Sequence, residues 1–178
     1  MKIKIVLLIA VSIFTVSKSR AQVPDWFQKV MQIKPFESSK ADVERIFNDA
    51  KISKSFTDIG LEFVYYDVAD GRLSLRYSLG KCSEISDAVF DLEKGRVVRV
   101  HFTPDNVFVK LFKYKIDVKR FDAEYENDNP TLHYFDDESG ISYSTQRKKL
   151  KGVQLYAPQK YLGLKCRETL PDGILRNM

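Results

Sequence analysis

Spacings for metal and redox chemistry are missing from this chain of 178 residues. Its two histidines, His101 and His133, form no H-x-x-x-H pair, and its two cysteines, Cys82 and Cys166, form no C-x-x-C. A zinc site or a dithiol redox centre therefore has no sequence support. There is no G-x-S-x-G elbow for a nucleophilic serine and no glycine-rich loop to cradle a phosphate. Nor is there a Gly/Ser-rich or Pro-rich linker, or a long run of like charge. The chain reads as one domain without a firm internal boundary.

What is present begins with an export signal. Met1-Lys-Ile-Lys4 is a positive leader, Ile5 to Val16 is apolar, and Ser19-Arg-Ala21 places small residues at a cleavage site before Gln22. The apolar run is short for a membrane span. No Cys follows it, so a lipoprotein anchor is not expected. Residues 1–21 are read as a signal peptide and 22–178 as a single domain. The signal carries four of the 29 basic residues and no acids, leaving 25 basic against 24 acidic residues, a net +1. The basic isoelectric point is thus a property of the signal, and nucleic-acid binding is not expected. The expected address is exported, periplasmic or secreted, with no stable membrane span after cleavage. In an oxidising compartment Cys82 and Cys166 are expected to form one disulfide. Closing a loop of roughly 85 residues would contribute about 4 kcal/mol, less any strain.

The segment ESSKADVERIFNDA (37–50) predicts a helix. Ser39 is a good N-cap with Asp42 at N3, and Val43, Ile46, Phe47 and Ala50 form one apolar stripe. PDWFQKVMQI (24–33) reads as either a short helix or a lead-in strand. The stretch FVYYDVADGRLSLRYS (63–78) predicts a hairpin with Asp70-Gly71 at its turn. In that register Val68 opposes Leu73, Tyr66 opposes Leu75 and Val64 opposes Tyr77 on a core face. Phe63, Tyr65 and Asp67 oppose Ser78, Arg76 and Ser74 on a more polar face. A second hairpin is expected between 87–92 and 95–102, with Val98, Val100 and Phe102 on one face and Val97, Arg99 and His101 on the other.

The second half echoes the first. DVKRF (117–121) is similar to DVERIF (42–47), LHYFDDESGISYST (132–145) to the hairpin at 63–78, and GVQLYAP (152–158) to VVRVHFTP (97–104). The gaps are unequal, and amphipathic hairpins resemble one another on physical grounds alone. The fold expected is α+β: a capped helix packed on an antiparallel strand meander, with a degenerate tandem repeat (37–104 and 112–160) as an open alternative to a single unit.

The runs ESSKADVERIF, EKGRVVRVHFTP and DDESGISYS, the Cys82 loop and the later Cys resemble a group of small exported bacterial proteins that is itself uncharacterised. The likeness covers about 30–170. At fold level, the capped helix and meander resemble the outer-membrane assembly component BamE/SmpA, and the tandem version resembles the β-lactamase-inhibitor-protein fold. Both likenesses imply binding without catalysis, and neither assigns a partner. The chain departs from BamE/SmpA in lacking a lipobox cysteine.

The acidic turn Asp136-Asp137-Glu138-Ser139-Gly140 lacks the alternating spacing of a calcium loop, and it reads as a solvated turn. Glu124, Glu126 and Asp128 read the same way. No cofactor or metal is expected. The candidate binding face is Phe63, Tyr65, Arg76, Arg99 and His101, since aromatics and Arg on an exposed sheet dominate binding hot spots. The alternative is that the C-terminal half covers this face. The function expected is an exported non-catalytic module binding an unknown protein or envelope component. A small secreted hydrolase using carboxylate or His chemistry is the rival, because two carboxylates can meet from anywhere in a chain.

Overall fold

The computed structural model describes residues 23–58, 60–80, 83–85, 88–90, 92–105, 109–126 and 130–161. The expected signal, Cys82 and Cys166 lie outside the described residues. The architecture is dominated by one antiparallel sheet. Its strands are β1 (Lys51–Asp58), β2 (Leu61–Val68), β3 (Gly71–Ser78), β6 (Val97–Pro104), β8 (Asp122–Tyr125), β9 (Thr131–Asp136), β10 (Ile141–Gln146) and β11 (Lys149–Leu155). They lie in the order β1-β2-β3-β6-β11-β10-β9-β8, and a short β7 (Val109–Lys110) pairs with β11. A separate two-stranded sheet joins β4 (Ser83–Ile85) to β5 (Ala88–Phe90).

This corrects the α+β expectation. Among the described residues the α-helices are two, α1 (Asp25–Val30, six residues) and α2 (Lys40–Ile46, seven), so the fold is closer to all-β. The predicted 37–50 helix forms only over its middle. Ser39 caps it with a full capping box, its side chain accepting from Asp42 N, but Phe47 leaves the helical region at φ −113° and ψ 61°. DVKRF forms a single 3₁₀ turn, Val118–Arg120, capped by Asp117. The two helices still matter to the core. Trp26 stacks on Phe102 at 4.4 Å, while Phe27 meets Tyr114 and Tyr143. Val43 and Phe47 of the predicted stripe are buried in the same core cluster as Tyr66, Leu75 and Tyr77.

Each half runs from an outer edge of the sheet to its centre: β1-β2-β3-β6 from one side, β8-β9-β10-β11 from the other. The halves meet where β6 pairs antiparallel with β11, Phe102 opposite Val153 and Val100 opposite Leu155. A half-turn about the sheet normal at that seam exchanges the two meanders in strand order and direction. The sequence echo does not superpose face for face, however. Tyr66 faces the core and Tyr65 the opposite side, whereas in the second half Tyr134 faces the core and Phe135 the opposite side.

Three registers differ from the sequence expectation. The β2–β3 turn is Ala69-Asp70, so Val68 pairs with Gly71, Tyr66 with Leu73 and Val64 with Leu75. Gly71 belongs to the strand because it presses on the next strand: a Cβ there would lie 2.9 Å from Pro104 Cα and meet the Thr103 carbonyl oxygen. The strand at 88–90 pairs with 83–85 rather than with β6, whose neighbours are β3 and β11. Finally, a bulge between Arg76 and Tyr77 leaves Val97 opposite Tyr77 and Arg99 opposite Arg76. One extra residue inverts the side-chain alternation. Val97 therefore joins Val100 and Phe102 in the main core, and Val98 turns to the other face, packing with Phe36, Leu61 and Leu92.

Candidate binding face

Period-2 alternation sends Leu61, Phe63 and Tyr65 of β2 to the face opposite the helices, along with Ser74 and Arg76 of β3 and Arg99 and His101 of β6. One end of this face is closed by the small cluster of Phe36, Leu61, Leu92 and Val98, with Phe63, Ala157 and Tyr161 packed against it. Beyond that end the side chains reach solvent. Phe63, Tyr65, Arg76 and Arg99 are half-buried, and His101 is exposed as a residue although its imidazole is partly withdrawn from water.

The expected five residues fall on this one face, but with different neighbours. Arg76 opposes Phe63 rather than Tyr65, its guanidinium 5.1 Å from the Phe63 ring centroid. Tyr65 opposes Ser74, which in turn opposes His101. One row across the strands is thus Phe56, Phe63, Arg76, Arg99, and the next is Lys54, Tyr65, Ser74, His101, Gln154, Ser142, Phe135. Phe56 and Phe63 stack at 4.9 Å with planes 4° apart, and Lys54 Nζ sits 5.1 Å from the Phe56 ring. Lysine, two stacked rings and arginine form a continuous cation–aromatic line.

Sequence reading missed Phe56 and Lys54. Their strand, KISKSFTD, carries its signal only in Phe56, Lys54 and Asp58, because a bulge between Ile52 and Lys54 breaks the alternation. It also missed the second-half contribution of Gln154, Ser142 and Ser144, since only the β6–β11 pairing brings them beside His101.

Electrostatically the centre of the face is cationic. Loss of hydration, then the nearby Arg76 and Arg99, lower the His101 pKa below its ordinary 6.5, so the imidazole is neutral at neutral pH. The Arg99 pKa is lowered by the same loss of hydration and by Arg76. Gly152 lets its neighbours close in here: a Cβ would lie only 3.0 Å from His101 Nε2 and 3.1 Å from Ser144 Oγ, tighter than an ordinary contact. The sheet offers a neutral imidazole, two guanidiniums, hydroxyls and aromatic faces, which suit hydrogen bonding and stacking with a docked surface.

The other sequence candidates lie elsewhere. His133 shares the open face on β9, 3.7 Å from Glu126. Asp136 pairs with Arg120 at 3.0 Å and accepts from Ser139 N, while Asp137 accepts a 2.6 Å hydrogen bond from Tyr156 Oη. Among the described residues, no group of three or more His, Cys, Asp or Glu is placed to hold a metal ion, and no helix is long and apolar enough to cross a membrane. A cleft of about 250 Å³ lies between Ile33, Pro35, Ile141 and Leu155. At its rim Lys160 and Tyr161 both bind Glu37, so its charged groups already satisfy one another. Compared with protein families, curated proteins and solved structures, the chain matches none.

Proposed function

We propose that this chain is an exported, non-catalytic binding module whose open sheet face docks a protein or envelope component. The observation that carries the reading is the cation–aromatic line of Lys54, Phe56, Phe63 and Arg76, continued by Arg99 and flanked by Tyr65 and His101. Rigid rings and guanidiniums held by strands lose little freedom on binding, and they make strong contacts once water is excluded. The likeness to BamE/SmpA and β-lactamase-inhibitor-protein-like domains belongs to the same proposal.

The test is site-specific photocrosslinking from Tyr65 in native envelopes, repeated with Arg76→Glu and with Phe63→Ser. A discrete crosslinked product that both variants abolish, while their melting stays within a few degrees, supports the face. Products that persist in both variants count against it. Export has its own tests: the exported chain should begin at Gln22 by intact mass, and non-reducing digestion should yield Cys82 and Cys166 in one linked peptide pair.

A hydrolase is the second reading, favoured by His101 and Ser144 both closing on Gly152. It requires turnover of an ester or glycoside substrate that His101→Ala abolishes.

A further inference from the structure

We propose that the chain forms a two-fold dimer by pairing β1 with β1 of a second copy, with Phe56 opposite Phe56 on the axis. This goes beyond the binding reading and stands independently of it.

Every residue of β1 is exposed, including those on the helix side, where the helices cover the main core but not this strand. β1 hydrogen-bonds only to β2 among the described elements, so its outer N–H and C=O groups face away from the sheet. It also carries two of the four exposed large hydrophobics among the described residues, Ile52 and Phe56. An eight-residue strand exposed on both faces gains little from its own fold.

Edges are commonly guarded by lysines and bulges. Here the bulge sits at Ser53, between Ile52 and Lys54, and leaves Lys54 to Asp58 in regular register against β2. Antiparallel self-pairing must keep like faces together, so only registers in which paired numbers share parity are allowed. With Phe56 opposite its own copy, Lys54 opposes Asp58 of the other chain twice, and Ser55 opposes Thr57. Shifting the centre to Ser55 sets Lys54 against Phe56, and shifting it to Thr57 sets Phe56 against Asp58. Only the register centred on Phe56 matches both ring and charge. Lys54 then serves as a partner for Asp58 rather than as a guard. Dimerisation would also extend the cation–aromatic line across the axis, from Arg76 and Phe63 of one chain to those of the other. A closed two-fold contact of this kind stops at two copies.

The opposite edge supplies the competing arrangement. β8 is fully exposed and carries Asp122, Glu124 and the exposed Tyr125, and it would lie antiparallel to β1 of a translated copy. That contact would not close, and it would build a ladder of larger species.

Sedimentation velocity of the exported chain up to about 100 μM separates the outcomes. The expected result is a concentration-dependent species of twice the monomer mass. Lys54→Asp and Asp58→Lys should each revert it to monomer, and the double reversal should restore the dimer. Because both positions are exposed, circular dichroism should be unchanged in all three. A wild type that stays monomeric, a dimer indifferent to Lys54→Asp, or failure of the double reversal overturns the proposal. So does a ladder of species that Lys54→Asp and Glu124→Lys both dissolve, which would assign the contact to β1 and β8.

Discussion

Gly71 and Gly140 close the two central hairpins in the same way, each pressed against the backbone that crosses its turn. A Cβ at Gly71 would meet the Thr103 carbonyl oxygen and Pro104 Cα, and one at Gly140 would meet the Tyr156 carbonyl oxygen and Pro158 N. Backbone cannot give way as a flexible side chain does. Gly71→Ala and Gly140→Ala should therefore each lower unfolding free energy by about 1–3 kcal/mol, the usual cost of overpacking. Urea denaturation reads this directly, and a loss under about 0.5 kcal/mol, the range of neutral surface changes, would show that the crossings are loose.

Neighbouring residues on β3 should respond oppositely. Leu75 is fully buried in the main core, and Leu75→Ala should cost about 2–5 kcal/mol. Arg76, half-buried on the other face over Phe63, should cost less than about 1 kcal/mol as Arg76→Ala. Equal losses in chemical denaturation would mean that the face is buried in the protein as it exists.

Alkali should unfold this protein through its tyrosines. Burial raises the pKa of Tyr66 and Tyr77, whose hydroxyls meet at 3.4 Å, and pushes Tyr114 and Tyr143 up to about 12. The unfolded chain ionises near pH 10 while the folded chain keeps its protons, so the unfolded state binds fewer. Stability is full below pH 10 and falls as pH rises from there through about 12. Urea midpoints that stay flat to pH 12, with tyrosinate absorbance appearing at pH 10 in the folded protein, would contradict this burial.

His101 gives a smaller effect on the acid side. Its folded pKa is depressed, so the unfolded state binds the proton first as pH falls past 6.5. Its contribution is present above 6.5 and is lost as pH falls toward the lower folded value. His101→Gln should flatten the stability profile in that window while leaving the plateau at pH 8 unchanged. An NMR titration placing the imidazole above 6.5 would reverse the sign and imply an acidic neighbour.

Local chemistry was legible in the sequence by itself. The Ser39–Asp42 capping box depends on residues three apart, and the side of the sheet taken by each residue of β2 and β3 depends only on alternation. That is why Phe63, Tyr65, Arg76, Arg99 and His101 share a face although the assumed turn was displaced. An error of two residues keeps every side chain on its side and changes only its partner, so Arg76 lies over Phe63 instead of opposing Tyr65. An error of one residue cannot be absorbed. The bulge beside Val98, invisible in the run VVRVHF, turns that valine to the far face and sends Val97 into the core. What only the tertiary structure decided is non-local. The placing of β6 between β3 and β11, the seating of Trp26 over Phe102 and the stack of Phe56 on Phe63 all depend on which segments meet. Pairing partners are chosen by total burial across the sheet, and no short window of sequence contains that sum. The same limit explains the overestimated helix: 37–50 has a helical pattern, but its ends are spent on joining β6 and leading into β1.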